Sequence, residues 1–506
     1  MRVLFVSSEV YPLAKTGGLA DVSEALPRAL TRAGADVHVL MPAYACAKAQ
    51  LPRAQVVAEI GDVLGIRDAQ LLAARIPGTE LPVWLVDAPE LYDRAGLYQD
   101  RSCQDWPDNA RRYAFLAHVA ARLAMGRTEI AWRPDVVHAN DWHAGLVPLL
   151  LARETDLRPA TVFTVHNMAF QGNFPAHVVP ELDLPEGSFS AEGIEYYDQA
   201  SFLKAGIRFA DRLTTVSPTY AREILAPEYG FGFDGLLRER TADLRGILNG
   251  VDYAIWDPAH DPFIASTYDA MHLNGKKLCK AALQRELGLP EVADTPLIAF
   301  ISRLTEQKMA DVLVELLPRL AETDVQVAVL SEGDNDLEQK FRQTAQNCRR
   351  KITVRIGYEE PLAHRMQAGA DILLAPARFE PCGLSQIYAM RYGTVPVVRA
   401  TGGLADTVVD TTRHTISEGR ATGFVFTKPT LTALEDAIGR ACAFYREPLT
   451  WRRLQSSAMK QDFSWNRSAG EYLALYNSVA GTAQGAPLAQ LIASSGQHPS
   501  LEQAAG

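Results

Sequence analysis

Short apolar runs recur along this chain, and each is followed by a stretch with helical periodicity. Val3–Ser7, Asp36–Met41, Val83–Asp87, Asp135–Ala139, Thr161–His166 and Leu213–Ser217 fill the first half, and Leu244–Leu248 closes it. Leu19–Ala33 and Asn109–Ala124 are two of the helical patterns between them. Strands that are apolar on both faces need cover on both, which a parallel sheet with crossover helices provides. A second series begins at Pro296, with Leu297–Ser302, Gln326–Leu330, Ile352–Ile356, Asp371–Ala375, Val395–Arg399 and Gly423–Phe426. The expectation is two doubly wound α/β domains with a boundary near residues 255–265, after Asn249-Gly250 and within the Pro-containing stretch Tyr253–Pro262. A length of 506 residues agrees, being too great for one core.

The hexapeptide Thr16-Gly17-Gly18-Leu19-Ala20-Asp21 returns as Thr401-Gly402-Gly403-Leu404-Ala405-Asp406. Each copy comes after an apolar strand and opens a helical pattern, on the side of the sheet where open α/β folds bind ligands. Fifty Lys plus Arg against 60 Asp plus Glu gives a formal charge of −10. That balance argues against nucleic-acid and anionic-membrane partners, which need basic surface, so an anionic ligand must meet a local cluster of cations. The six cysteines are far apart with no CxxC, which argues against a disulfide scaffold and a structural zinc site. Ser7, Ser8 and Glu9 interrupt the N-terminal apolar run, which reads as a buried strand and not a signal peptide. No stretch reaches the roughly 20 apolar residues of a membrane helix, so a cytoplasmic protein is expected. Residues 464–480 read as a helix with Ser464 as cap, and 481–506, rich in Ala, Gln, Gly and Ser, as a disordered tail.

Four segments carry candidate chemistry. In Lys15-Thr16-Gly17-Gly18-Leu19 the glycines permit close backbone approach and the helix start supplies N–H groups beside the Lys15 charge; the segment is a phosphate site or a plain strand-to-helix turn. Arg303 and Lys308 flank the turn after Leu297–Ser302, where they grip phosphate or lie in a solvated loop. Glu380, in Arg378-Phe379-Glu380-Pro381-Cys382-Gly383-Leu384, is placed to accept hydrogen bonds from sugar hydroxyls or to cap a helix. Cys382 reads as packing, with no base beside it in sequence. His138-Ala139-Asn140-Asp141-Trp142-His143 and Thr164-Val165-His166-Asn167 end two strands in polar and aromatic groups that suit carbohydrate. Their histidines lack the carboxylate spacing of a metal site, and none is expected. Gly230-Phe231-Gly232-Phe233-Asp234-Gly235 matches G-x-G-x-x-G but follows a helical pattern, so it fails as a dinucleotide fingerprint.

KTGGLADV (Lys15–Val22), HANDWH, TVHN, the SFLKA-bearing stretch Glu195–Ala205, NGVD (Asn249–Asp252), SRLTEQK, GYEEPLAH (Gly357–His364), RFEPCGLSQ and TGGLADTV resemble, in order from about residue 1 to 480, the bacterial glycogen synthases and plant starch synthases of glycosyltransferase family 5. The resemblance implies an α/β GT-B fold, two Rossmann-like doubly wound domains facing across a deep cleft. It implies an N-terminal catalytic domain on the acceptor side (1–255), a nucleotide-sugar-binding domain (256–463) and a terminal helix (464–480) crossing back to the first. It implies retaining transfer of glucose from ADP-glucose to the non-reducing end of an α-1,4-glucan, with no metal or organic cofactor. Arg303, Lys308, Glu380 and His166 would be catalytic, the two cations neutralising the departing diphosphate. Lys15, Gly18, Asp21, Asn167, Asn249, Tyr358, Thr401, Gly402 and Gly403 would bind the donor, with Tyr358 on adenine and the Gly402–Gly403 N–H groups on phosphate. Asp141, Trp142, His143 and Tyr98 would contact acceptor and sugar.

Retention can run through two displacements, with Glu380 and Asp141 as carboxylate candidates, or through same-face attack in which the leaving phosphate takes the acceptor's proton. Cations and glycines without a carboxylate pair favour the second. Two stretches depart from the family pattern: Met309 stands where Gly follows SRLT-x-QK, and Ser331-Glu332-Gly333-Asp334 replaces Gly-x-Gly-Asp; Tyr388 means that the Glu-x7-Glu pair of wider GT-B families is absent, which is not unusual in this family. The two stretches bear on donor affinity through Lys308's reach and lost backbone freedom. Competing readings are a related GT-B enzyme using UDP-glucose or another acceptor, a low-activity paralogue, and a two-domain sugar-binding protein, which has no use for Lys15, Arg303 and Lys308 together.

Overall fold

The computed structural model describes residues 1–102, 104–154 and 157–480, so the tail expected over 481–506 lies outside the described residues. The chain divides into two compact units. Met1–Val216, Ala221–Gly250 and the helix from Trp465 make the first; Ser217–Tyr220 and Val251–Ser464 make the second.

The strands of the first unit are β1 (Arg2–Val6), β2 (Asp36–Pro42), β3 (Gln55–Glu59), β4 (Gln70–Arg75), β5 (Pro82–Asp87), β6 (Val136–Asn140), β7 (Ala160–Val165), β8 (Asn173–Pro175), β9 (Glu195–Tyr196), β10 (Gln199–Ser201), β11 (Arg212–Thr215) and β12 (Leu244–Gly246). Nine form one sheet in the order β12-β11-β7-β6-β1-β2-β5-β4-β3. Pairing is parallel from β12 to β5, and β4 and β3 add an antiparallel edge. Val3–Val6, Val136, Val137 and Phe163 are solvent-free, as strands covered on both faces must be. Sheet order reverses at β1, which has β2 on one side and β6 on the other, so the chain leaves β1 and β6 beside each other at a switch point.

The helix Trp465–Val479 packs on the helix Gly18–Arg32. Tyr476 Oη lies 2.7 Å from His138 Nδ1, and Ser468 Oγ donates to Leu248 O at 2.6 Å. Gly250 is required here, because a Cβ would stand 2.6 Å from Trp465 Cα. This helix therefore belongs to the unit in which the chain begins.

Sequence periodicity overlooks β3, β4 and the small antiparallel sheet β8-β10-β9, whose strands are short or largely exposed. The small sheet also explains the G-x-G-x-x-G match. That segment runs from the helix Pro227–Gly230 through left-handed Phe231 (φ 50°) into the helix Asp234–Glu239. A Cβ on Gly232 would meet the Tyr196 hydroxyl at 1.9 Å, so the glycine serves packing.

The second unit holds β13 (Leu297–Ile301), β14 (Gln326–Ser331), β15 (Ile352–Ile356), β16 (Ile372–Ala375), β17 (Val395–Arg399) and β18 (Phe424–Phe426). They form one all-parallel sheet in the order β15-β14-β13-β16-β17-β18, the Rossmann order. The switch point lies between β13 and β16. Among the described residues no helix is long and apolar enough to cross a membrane.

Two of the sequence departures acquire a physical meaning. Met309 occupies the left-handed region (φ 52°), which costs a residue other than Gly about 1–2 kcal/mol. Its side chain is fully buried in the core that includes Phe300 and Leu313, which offsets that cost and directs its bulk inward. Ser331 has no positive φ, and its Oγ donates to Ser302 O, so the missing glycine carries no backbone penalty. Gly333 is the position that needs glycine: φ is 156°, and a Cβ would stand 2.5 Å from Leu304 O.

Candidate active site

In the second unit the loops leaving β13 and β16 meet at the switch point. Arg378 N donates to Gln307 O at 2.8 Å, and the Arg378 guanidinium grips Asp311 with two bonds of 2.7 Å. This lacing brings Lys308 Nζ onto the Glu380 carboxylate as an ion pair, both side chains being largely buried. Arg303 lies on the same loop, exposed and with no ion pair among the described residues. Tyr358 follows β15 with 57% of its surface exposed.

Gly402 and Gly403 begin a helix against the Glu380 loop. A Cβ on Gly402 would stand 1.8 Å from Glu380 O, and one on Gly403 would stand 2.1 Å from Cys382 O. Gly403 N donates to Glu380 O at 3.1 Å, so this N–H is engaged within the protein and not presented to phosphate as the sequence reading expects. Thr401 shares the turn, with its N donating to Arg399 O at 2.9 Å. Cys382 is buried in the same loop.

In the first unit the loop leaving β1 differs from its repeat. Lys15 to Gly18 are exposed, and a Cβ at Gly17 or Gly18 would meet nothing within 4 Å. The Glu9 carboxylate accepts from Thr16 N and Thr16 Oγ1, both at 2.6 Å, from Gly17 N at 3.2 Å and from Tyr98 Oη at 2.6 Å. The chain's own carboxylate thus occupies the N–H groups at Thr16 and Gly17 that sequence reasoning offers to an anion. Lys15 Nζ pairs with Asp21 at 2.7 Å and lies over the Tyr11 ring.

Beside this loop, β6 is followed by Asp141, whose φ of 54° and ψ of −179° fall in a region that essentially only glycine uses. The strain is held because the Asp141 carboxyl accepts from His166 N at 2.8 Å and from Asn167 N, joining the ends of β6 and β7. Burial pushes this carboxyl up to about 7, against those two bonds and with a contribution from the Glu9 charge. Trp142 stacks on His143 at 3.8 Å, and His143 on Tyr98 at 4.5 Å. His166 Nε2 lies 3.0 Å from Asn140 Oδ1, and burial lowers the imidazole to about 3, so it is neutral at pH 7. Asn167 Oδ1 accepts from Ala169 N at 3.0 Å, and the buried Asn249 Oδ1 has no hydrogen-bond partner among the described residues. His138 is not in this group: it bonds Thr164 Oγ1 at 2.6 Å and Tyr476, one layer below.

Sequence reasoning misses Glu9 and Arg112. Arg112 is fully buried, donates to Leu91 O, Leu97 O and Asn109 Oδ1 at 2.7–2.8 Å, and supports the segment that carries Tyr98. Glu9 was visible only as a polar interruption; nothing local announces what it bonds.

The raised Asp141 group makes a pH prediction. Between the ordinary carboxyl range and about 7 the folded state binds a proton that the unfolded chain has released, so stability falls as pH rises through that window. The thermal midpoint of Asp141→Asn should fall less from pH 5 to 8 than that of the wild type. Parallel curves for the two proteins would refute the assignment.

Two Rossmann-order domains with sugar-type and phosphate-type groups at the carboxyl ends of their strands define a GT-B glycosyltransferase. Residues 2–239 match the family described as "Starch synthase catalytic domain", and residues 287–445 that described as "Glycosyl transferases group 1". A glycogen synthase of Paramagnetospirillum magneticum is 51% identical, over 96% of this chain and 99% of that one. Another, of Burkholderia thailandensis, is 52% identical over 94% of this chain and 90% of that one. The solved catalytic domain of Starch Synthase IV from Arabidopsis thaliana, bound to ADP and acarbose, superposes with a TM-score of 0.84 at 31% identity, covering 94% and 99% of the two chains. Sucrose-phosphate synthase from Thermosynechococcus elongatus, at 17% identity and a TM-score of 0.59, shares the fold. The chain belongs to the glycogen synthase family and is a hexosyltransferase of glycogen synthesis.

Proposed function

We propose that this enzyme transfers glucose, with retention, from ADP-glucose to the non-reducing end of an α-1,4-glucan in the cytoplasm. The carrying observation is the Lys308–Glu380 pair at the switch point of the second sheet, with Arg303 on the same loop. As the sugar–phosphate bond breaks, charge gathers on the departing ADP, and fixed cations bind that state better than the ground state. Lys308 and Arg303 supply them, taking the part a divalent metal plays in other transferases. Glu380, freed in part from Lys308, accepts from glucose hydroxyls, and Tyr358 stacks on adenine; residues 256–463 are thus the nucleotide-sugar domain. Residues 1–255 receive the glucan on the Tyr98–His143–Trp142 aromatic stack. His166 stays neutral and hydrogen-bonds the reacting sugar. Asn167, Asn249, Lys15, Gly18 and Asp21 complete the donor contacts, and Thr401, Gly402 and Gly403 shape the loop that holds Glu380.

Same-face attack fits this group set, since Glu380 is committed to a cation and Asp141 to two N–H donors. The ADP and acarbose held by the Arabidopsis relative support an adenine nucleotide and an oligosaccharide as ligands. Radiolabel transfer onto glycogen from ADP-glucose and from UDP-glucose tests the reading. ADP-glucose should give the higher kcat/KM by at least about tenfold, or 1.4 kcal/mol. Equal or better use of UDP-glucose would contradict the donor assignment, and trapping a glucosyl-enzyme adduct would contradict same-face attack.

A further inference from the structure

The exposed Lys15–Gly18 turn is held from beneath by one buried carboxylate. Ala14 and Leu19 anchor the turn in the core, and between them Thr16 and Gly17 both direct their N–H groups to Glu9, with Thr16 Oγ1 adding a third bond. A buried carboxylate is costly unless its lone pairs are filled, and the fourth donor that completes the set is Tyr98 Oη, at 2.6 Å. Ser8 Oγ, 2.7 Å from the same Tyr98 oxygen, fixes it further. One side chain therefore touches two elements far apart in sequence: the turn assigned to the donor, and the tyrosine whose ring stacks on His143 in the surface assigned to the glucan.

We propose that Glu9 is a positioning residue for the transfer reaction, setting the Lys15–Gly18 turn and the Tyr98 ring in register through one carboxylate. It touches neither substrate. Losing it leaves the exposed turn held between Ala14 and Leu19 by the Lys15–Asp21 pair without its carboxylate, and releases the Tyr98 hydroxyl, so binding suffers before folding does. The inference rests on the reading of the turn as donor-binding.

Glu9→Ala should raise KM for ADP-glucose about tenfold or more and KM for maltooligosaccharide severalfold. Glu9→Gln should restore both to within about threefold of wild type. Its amide oxygen can accept from Thr16 N and Gly17 N, and its NH2 can donate to two hydroxyls that are free to turn. In a Lys15→Met background, Glu9→Ala should cost little more donor affinity, because both act through the same turn. If Glu9→Ala does not fold, Thr16→Val removes one partly buried bond to Glu9 and should raise the donor KM about threefold at a thermal midpoint within a few degrees of the wild type. Unchanged KM values in a folded Glu9→Ala or Thr16→Val protein, Glu9→Gln as poor as Glu9→Ala, or losses that multiply with Lys15→Met would each overturn the proposal. An unchanged donor KM in Lys15→Met alone would instead overturn the assignment of the turn.

Discussion

Replacing Lys308 with Ala should lower kcat about 10²- to 10³-fold, the loss that accompanies removal of one preorganised group facing developing charge. KM for ADP-glucose should change less, because the charge on the diphosphate grows only as the bond breaks. The substitution also strips Glu380 of its partner in a largely buried site. Since neither group is fully buried, the stability cost should be about 1–2 kcal/mol, below the 3–5 of a fully buried pair. The double variant Lys308→Ala/Glu380→Gln separates the two effects: it should recover the stability and leave the rate low. Steady-state glucosyl transfer and denaturant unfolding on the three proteins check this. A kcat within threefold of wild type for Lys308→Ala would remove Lys308 from the transfer step.

Alanine at the glycine that opens the helix should have opposite effects in the two copies of Thr-Gly-Gly-Leu-Ala-Asp. Gly402→Ala adds a Cβ 1.8 Å from the Glu380 carbonyl oxygen, at a φ of 44° that L side chains rarely adopt. The obstacle is backbone, so the loop must move; overpacking and strain together should cost about 2–5 kcal/mol. Glu380 moves with it, and a displacement near 1 Å is enough to cost about 10² in turnover. Gly18→Ala meets nothing within 4 Å, and alanine is the better helix former, so its thermal midpoint should equal or slightly exceed that of the wild type. Calorimetry on the two variants reads the contrast directly. Equal midpoints would show that the second turn can relax around a side chain.

That contrast shows how far the amino-acid order carries. Both copies of the hexapeptide open a helix, at Gly18 and at Gly402, and that much follows from local pattern. Their use does not. In the first copy the turn bends over a carboxylate seven residues back; in the second, the glycines make room for the backbone of a loop about twenty residues earlier in the chain. Glycine reads the same in sequence whether it admits a ligand, a left-handed turn or a neighbouring carbonyl.

The histidines divide in the same way. His138, His143 and His166 all sit in or just after strands in motif-like segments, yet His138 ties the terminal helix into the first unit while His143 and His166 lie among the sugar-type groups. Burial, which no local pattern encodes, keeps all three uncharged.

The order of residues alone determined two parallel α/β sheets, nearly all of their strands, the terminal helix and the family, because apolar periodicity and short motifs are local properties that survive without neighbours. Only the tertiary structure decided which groups share a site: that Lys308 faces Glu380, that Glu9 fills the first glycine turn, that Met309 turns inward and that Asp141 has a strained backbone and a carboxyl that burial pushes up to about 7. Those facts depend on desolvation and on distances between residues from seven to 72 positions apart, which exist only once the sheets have formed.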